Sequence, residues 1–148
     1  MGVESGGLRA VVDAPLEDIV AALLNFESYP QWQAIMKACT VLERDDEGRG
    51  SVVEFRVDAK VRTVRYVSRY AYDLPSGFSW DLVSGDLKRN SGRYAFAARE
   101  DGGTDVTIAI YFEAGFFVPG PLKNAIRDRS LHNSIRELRR RVRVEPAG

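Results

Sequence analysis

The sequence predicts an α+β domain in which a curved antiparallel sheet of six to seven strands wraps around one long C-terminal helix, with one or two short helices after the first strand. Three observations lead there. Ser51 to Val61 alternates strictly, with Val53, Phe55, Val57, Ala59 and Val61 set against Glu54, Arg56, Asp58 and Lys60, the period of a half-buried strand. Similar runs continue to Phe112, joined by short polar turns, and short connections permit only antiparallel neighbours. Helical spacing is confined to two stretches, Ala14 to Asn25 and Leu122 to Val144.

At 148 residues the chain is one domain, long enough for a substantial core. Met1 to Gly7 is polar and glycine-rich and is expected to be loose at its start. Leu8 to Val12 is a short strand. In the first helix Leu16, Ile19, Val20, Leu23 and Leu24 share a face and leave Glu17, Asp18 and Ala21 on the other. Asp13 is the expected N-cap and Pro15 suits the first turn, while Glu17 and Asp18 sit at the positive end of the helix dipole. The helix ends near Asn25. Pro30 disfavours the α region at Tyr29, so Phe26 to Trp32 reads as a bend or broken second helix carrying three aromatics.

Ile35 to Glu43 is the next strand, closed by the Arg44-Asp45-Asp46-Glu47-Gly48 turn. After Ser51 to Val61, Val64 to Tyr72 alternates again. Placing Arg65, Val67 and Arg69 outward sends Tyr66, Ser68, Tyr70 and Tyr72 inward. A Pro75-Ser76-Gly77 turn leads to the inward row Phe78, Trp80 and Leu82. In Leu87 to Arg99, outward Arg93 and Arg99 leave Asn90, Gly92, Tyr94 and Phe96 inward. Asp101-Gly102-Gly103 is a hairpin turn, and Val106, Ile108, Ile110 and Phe112 make the last inward row. The final helix carries two stripes. Leu122, Ala125 and Ile126 give way on one face to Arg129 and Asn133, while Leu131, Ile135, Leu138 and Val142 mark nearly the opposite face. Such a helix either kinks or changes the surface on which it packs.

Composition excludes some function classes. A hydrophobic share of 45% with 28% charged residues is that of a globular chain, and no apolar run is long enough to span a bilayer as a helix. The first ten residues lack the apolar centre of a signal peptide, and lone Cys39 permits no internal disulfide, so a reducing, cytoplasmic setting is expected. A single histidine, His132, excludes a multi-histidine metal centre, and the glycine pairs sit in turns rather than in a phosphate loop. No constellation supports a defined catalytic mechanism, and no metal or cofactor is implied. Lys123 to Arg143 holds eight basic and two acidic residues, a net +6 that leaves −6 for the remainder. These arginines lack interleaved aromatics, which argues against single-stranded nucleic acid but is compatible with transient contact with an anionic membrane.

The inward residues, mostly large and apolar with Tyr66, Ser68, Tyr70 and Asn90 as isolated polar groups, fit a small-molecule pocket or a fully packed core equally well. The chain as a whole adds a resemblance. Ala14-Pro15, Leu23-Leu24, Phe26-x-x-Tyr29-Pro30-x-Trp32, Ser91-Gly92-Arg93-Tyr94, Thr104-x-Val106 and the proline-led last helix, in this order from about Leu8 to Val144, resemble the polyketide cyclase/dehydrase and lipid-transport family. That family is part of the START-like, birch-pollen-allergen-like helix-grip superfamily (SRPBCC). The resemblance implies a helix-grip fold whose cavity, between sheet and last helix, binds a hydrophobic small molecule or lipid. A polyketide cyclase/dehydrase-like enzyme using the same cavity is the alternative. The expected ligand-binding residues are Phe55, Val57, Tyr66, Ser68, Tyr70, Trp80, Asn90, Tyr94, Ile110 and Phe112 from the sheet, with Ile126 and Asn133 from the helix. Val118-Pro119-Gly120-Pro121 would form a hinge or fixed bend, with Phe116 and Phe117 closing the entrance.

Overall fold

The computed structural model describes residues 4–59 and 62–144, with the side chains of 4, 5, 120, 122–128, 130, 143 and 144 outside that description. Ile126, an expected cavity residue, and Val61, an expected inward strand residue, therefore fall outside it, as do the first three residues of the expected loose start. Seven strands and three α-helices follow the order β1 (Glu4–Val12), α1 (Leu16–Leu24), a 3-10 turn (Phe26–Ser28), α2 (Tyr29–Trp32), β2 (Met36–Arg44), β3 (Gly50–Asp58), β4 (Thr63–Asp73), β5 (Gly77–Gly85), β6 (Leu87–Ala98), β7 (Thr104–Ala114) and α3 (Gly120–Val144). The strands form one curved antiparallel sheet in the order β1-β7-β6-β5-β4-β3-β2.

β2 to β7 are the expected meander. β1 pairs with β7 along its length, from Glu4 opposite Phe112 to Val12 opposite Thr104, so Glu4 to Gly7 is strand rather than loose chain. The two ends of the meander's concave side are closed differently. α1 and the second half of α3 cover the β1-β7-β6 side, where Val12, Ile19, Leu23, Val106, Ile108, Leu131, Ile135, Leu138 and Val142 form a closed core. Phe26, Tyr29, Met36, Val53 and Phe55 fill the β2-β3 side. α3 is one helix from Gly120 to Val144; in its described half Leu131, Ile135, Leu138 and Val142 are buried while Arg129 is exposed, and the side chains of the early stripe, Leu122, Ala125 and Ile126, lie outside the described residues.

The strand faces follow the alternation. Phe55 and Ile108 are buried, whereas Arg56, Arg65 and Arg93 are not. Four local expectations are corrected. Asp13 is not the N-cap. Pro15 occupies that position without a side-chain cap bond, because Ala14 turns back onto Val12 and is itself buried, leaving Asp13 exposed. Tyr29 lies in the α region despite Pro30, with φ −50° and ψ −42°. Its buried ring packs on Phe26 and its hydroxyl donates to the carbonyl of Leu23, and this tertiary anchoring overrides the steric preference. Val67 faces outward yet is buried, as is Val52 beside it. They pair with Glu54 and Arg69 respectively, and the stems of such long side chains cover apolar neighbours on a solvent face. β3 ends at Asp58, so Ala59 lies beyond the strand.

Two elements of the sequence pattern have clear packing roles. The Thr104 hydroxyl, fully buried, donates to the Ala14 carbonyl at 2.8 Å and pins the start of β7 to the entry of α1. Ser28 Oγ donates to the Asn25 carbonyl at 2.7 Å and accepts from Trp32 Nε1 at 3.2 Å, which holds the aromatic bend together. α1 itself rests on Ile19 and Leu23, both essentially inaccessible. Leu23→Ala is expected to lower the unfolding free energy by about 2–5 kcal/mol. Leu42→Ala, on a half-exposed side chain of β2, is expected to change it by less than about 0.5 kcal/mol. Urea denaturation of the two variants checks this directly.

Candidate functional site

Between the sheet and α3 lies a cavity of about 330 Å³. Its volume is at the small end of the range for small-molecule pockets. The inner faces of β3 to β7 supply its walls, because alternate residues of each strand point the same way and the curvature brings the rows together. Phe55, Val57, Tyr66, Ser68, Tyr70, Trp80, Asn90, Tyr94, Ile110 and Phe112 all line it. From α3, Asn133 does too, along with Arg129, Ser134 and Glu137. Eleven of the twelve expected residues thus meet at one cavity, Ile126 lying outside the described side chains. In its described half, the face of α3 that turns polar overlooks this cavity.

The walls are aromatic and tightly coupled. Tyr66 stacks on Phe55 with ring centres 5.2 Å apart and planes at 26°. Tyr70 lies within 6.3 Å of Phe26, Phe55, Tyr72, Phe78 and Trp80, joining the β2-β3 core to the cavity floor. The Trp80 indole crosses β6 at Gly92, where any Cβ would collide with the ring and with the Ala109 carbonyl. That is why a glycine stands between Ser91 and Arg93. Tyr72 does not reach the cavity. Its hydroxyl donates to the Gly50 carbonyl and Arg49 covers its ring, so it seals the floor from behind. Leu82, expected in the inward row, is half-buried and outside the cavity lining.

The polar atoms of the interior divide into satisfied and unsatisfied. Tyr94 hydrogen-bonds to Ser134 of α3. Ser68 Oγ is fully buried and meets no hydrogen-bond partner among the described residues. Leaving a buried hydroxyl unpaired costs about 1–3 kcal/mol, and Ser68 belongs to the cavity wall. The charged residues of the lining are Asp58 and Arg129, both exposed, and Glu137, which is half-buried. Glu137 accepts a hydrogen bond from the Ala34 amide at 2.9 Å and ties the corner after α2 to the helix.

Gln33, Ile35, Asp58, Phe116, Val118 and the polar row of α3 complete the lining, with Ile35, Asp58 and Arg129 exposed to solvent. Phe116 turns in under the Arg62 guanidinium, 4.9 Å from its ring centre. Phe117 does not close the entrance as expected. It is 76% exposed, because Phe116 and Val118 on either side take the inward positions. The residues that sequence reasoning missed are mostly here. Arg129 and Glu137 lie one turn either side of Asn133, so helical spacing would have found them. Gln33 and Met36 lie in or beside an irregular corner with no periodic signal.

Comparison with known proteins bears on this arrangement. Residues 8–143 match the sequence profile of the family described as polyketide cyclase/dehydrase and lipid transport. The chain belongs to that family. Among solved structures it is similar to a START superfamily protein from Mycobacterium smegmatis, at 24% identity over 94% of this chain and 97% of that one, with a TM-score of 0.85. A Thermus thermophilus protein matches at 18% identity over 97% and 100% of the two chains, TM-score 0.79. Zhui aromatase/cyclase from Streptomyces sp. R1128 matches at 17% identity over 95% and 96%, TM-score 0.77. At these identities the structural likeness shows the helix-grip fold. No curated protein matches by sequence.

In this member of the family the interior is electrostatically quiet. Burial is the first cause holding the Tyr29, Tyr66, Tyr70 and Tyr94 hydroxyls well above their ordinary range, with the Ser134 hydrogen bond pulling slightly the other way at Tyr94. Burial also pushes the Cys39 thiol up to about 12, with the Glu27 charge a lesser cause, so it stays a neutral packing group. His132 is exposed on α3 and does not line the cavity. No group of three or more potential ligands that could hold a metal ion occurs among the described residues.

The pH consequence has a definite sign. A phenol whose folded pKa is raised keeps its proton when the unfolded chain has lost its own, so stability falls as pH rises above about 10. Absorbance titration is expected to show Tyr29, Tyr66, Tyr70 and Tyr94 ionising only together with loss of the folded circular-dichroism signal. Smooth ionisation of all six tyrosines near pH 10 in folded protein would contradict the buried geometry.

Proposed function

We propose that this family member binds a hydrophobic small molecule or lipid in the cavity and carries or sequesters it. The observation that carries the reading is the buried, unpartnered Ser68 hydroxyl in the wall of a largely aromatic and aliphatic cavity. Apolar walls supply affinity in proportion to the area they desolvate, and a few placed polar groups supply orientation. Ser68, Asn90 and the hydroxyls of Tyr66 and Tyr70 are the polar groups for that role, with Phe55, Val57, Trp80, Tyr94, Ile110, Phe112, Ile126 and Asn133 completing the ligand-binding set. A ligand with a hydrogen-bonding group at its buried end recovers the desolvation cost at Ser68, whereas a plain hydrocarbon does not.

The neutral interior supports carriage over chemistry. A general base works best with a pKa near the operating pH, and the phenols that the strands contribute to the lining are shifted away from it. Exchange of ligand at an anionic membrane belongs to the same reading. Among the described arginines of the basic helix, Arg136, Arg139 and Arg141 reach Asn133, the Val11 carbonyl and Gln31, and Arg140 is exposed.

The test is titration with an apolar fluorescent probe such as anilinonaphthalene sulfonate, followed by native mass spectrometry after exposure to a lipid extract. Ile110→Trp places an indole in the cavity and is expected to weaken probe binding at least about tenfold while thermal unfolding stays cooperative. Equal affinity in the folded variant and the parent would remove this cavity as the binding site. Turnover of a poly-β-keto substrate that disappears in Ser68→Ala and Tyr70→Phe would establish the enzymatic alternative instead.

A further inference from the structure

In the inward row of β6, Asn90, Gly92, Tyr94 and Phe96, only Gly92 carries no side chain, and Trp80 of β5 stands directly opposite it. The indole fills the missing space. A Cβ on Gly92 would fall 2.8 Å from Cε2 of the indole and closer still to Cζ2, well inside van der Waals contact. Tyr70 flanks Trp80 in the β4-β5 ladder, and Ile110 flanks Gly92 in the β6-β7 ladder. Four strands thus give this row three side chains, and all three line the cavity, while Gly92 itself is buried and does not. Phe78, the next inward residue of β5 toward the closed core, belongs to that core and is outside the lining. Trp80 is therefore the partition between cavity and core on this strand.

The indole has little freedom within the wall. Its ring centre lies 5.9 Å from Tyr70, 6.2 Å from Phe78 and 5.9 Å from Tyr94. Phe78 is buried, and Tyr94 is bonded to Ser134 of α3. Close-packed rings resist added volume, whereas a void accepts it. A side chain at position 92 would drive the indole out of the wall and into the cavity. We propose that Gly92 sets the size limit of the cavity: by lacking a side chain it lets Trp80 lie within the wall, and so decides how large a ligand is admitted. Gly92 is a positioning residue that acts through Trp80. The inference rests on the ligand-binding reading above.

Two neutral fluorescent probes read the size limit, 1-naphthylamine and N-phenyl-1-naphthylamine, the second larger by one ring. Gly92→Ala is expected to weaken binding of the larger probe at least about tenfold and of the smaller less than about threefold. The new Cβ also lies 2.6 Å from the Ala109 carbonyl oxygen, so it strains the β6-β7 pairing whatever stands at position 80. A background without the indole separates the two effects. In Trp80→Leu, adding Gly92→Ala is expected to change the affinity for either probe less than about twofold, because no ring remains to be displaced. A loss caused by the strained ladder would persist there. Trp80→Leu alone is expected to raise affinity for the larger probe relative to the smaller at least about threefold, and it keeps the proposal falsifiable should Gly92→Ala not fold. Equal weakening of both probes by Gly92→Ala, the same loss in the Trp80→Leu background, or an unchanged probe ratio in Trp80→Leu would each overturn the proposal. Binding of neither probe by the parent protein would remove the ligand-binding reading and this inference with it. Binding of both without the size split would remove only the role of Gly92.

Discussion

Leu131, Ile135, Leu138 and Val142 form an apolar row on α3 that packs with Ile19 and Leu23 of α1 against Val106 and Ile108 of the sheet. Burying side chains of this kind contributes roughly 1.5–3 kcal/mol each, far more than any exposed ion pair on the surface. The row therefore decides where the helix lies, and with it which part of the concave face stays uncovered. A helix presents its opposite side about two residues further on, so seating Leu131, Ile135 and Leu138 in the core turns Arg129, Asn133 and Glu137 toward the uncovered part. The cavity is thus the region that α3 cannot fill while its apolar row is seated.

What keeps that region open is the stiffness of its walls. Collapse would require the aromatic side chains to leave their contacts. Tyr70 alone touches five rings, Trp80 is lodged over Gly92, and Tyr29 is held by both Phe26 and the Leu23 carbonyl. Offset and tilted ring pairs at these separations are each worth about 0.5–1.5 kcal/mol beyond the area they bury. Close-packed interiors respond to such constraints by keeping a void rather than by flowing into it.

Much of this is legible in the chain itself. Strict alternation over Val53 to Asp58 and Tyr66 to Tyr72 assigns the inner face residue by residue, because a one-residue slip would bury Arg56, Arg65 and Arg69. The parts that are not legible depend on contacts between distant segments. Nothing local in Glu4 to Gly7 announces pairing with Tyr111 and Phe112, since an edge strand with two glycines has little signal of its own. Tyr29 takes an α conformation because of where its hydroxyl and ring are held, not because of its neighbour. Val67 is covered on the solvent face by long polar side chains, which hydrophobic periodicity scores as exposed. After β7 Phe116 and Phe117 are identical in sequence terms, and only the backbone leaving β7 sends one inward and the other to solvent.

The separation of charge from interior has a further consequence for how a ligand would sit. Asp58 and Arg129 are exposed to water and Glu137 is half-buried, where charges cost less, while the rest of the described lining offers neutral hydroxyls and the Gln33, Asn90 and Asn133 amides. An ionised group carried to the floor would lose its hydration and find no counter-charge among the described side chains, a cost of several kcal/mol. On the proposed reading, a charged end would stay beside the exposed lining residues and a neutral oxygen or nitrogen would go toward Ser68. On that reading the polarity gradient alone would orient an amphiphilic molecule, tail and neutral polar group inward, before any shape selection by the aromatic walls begins.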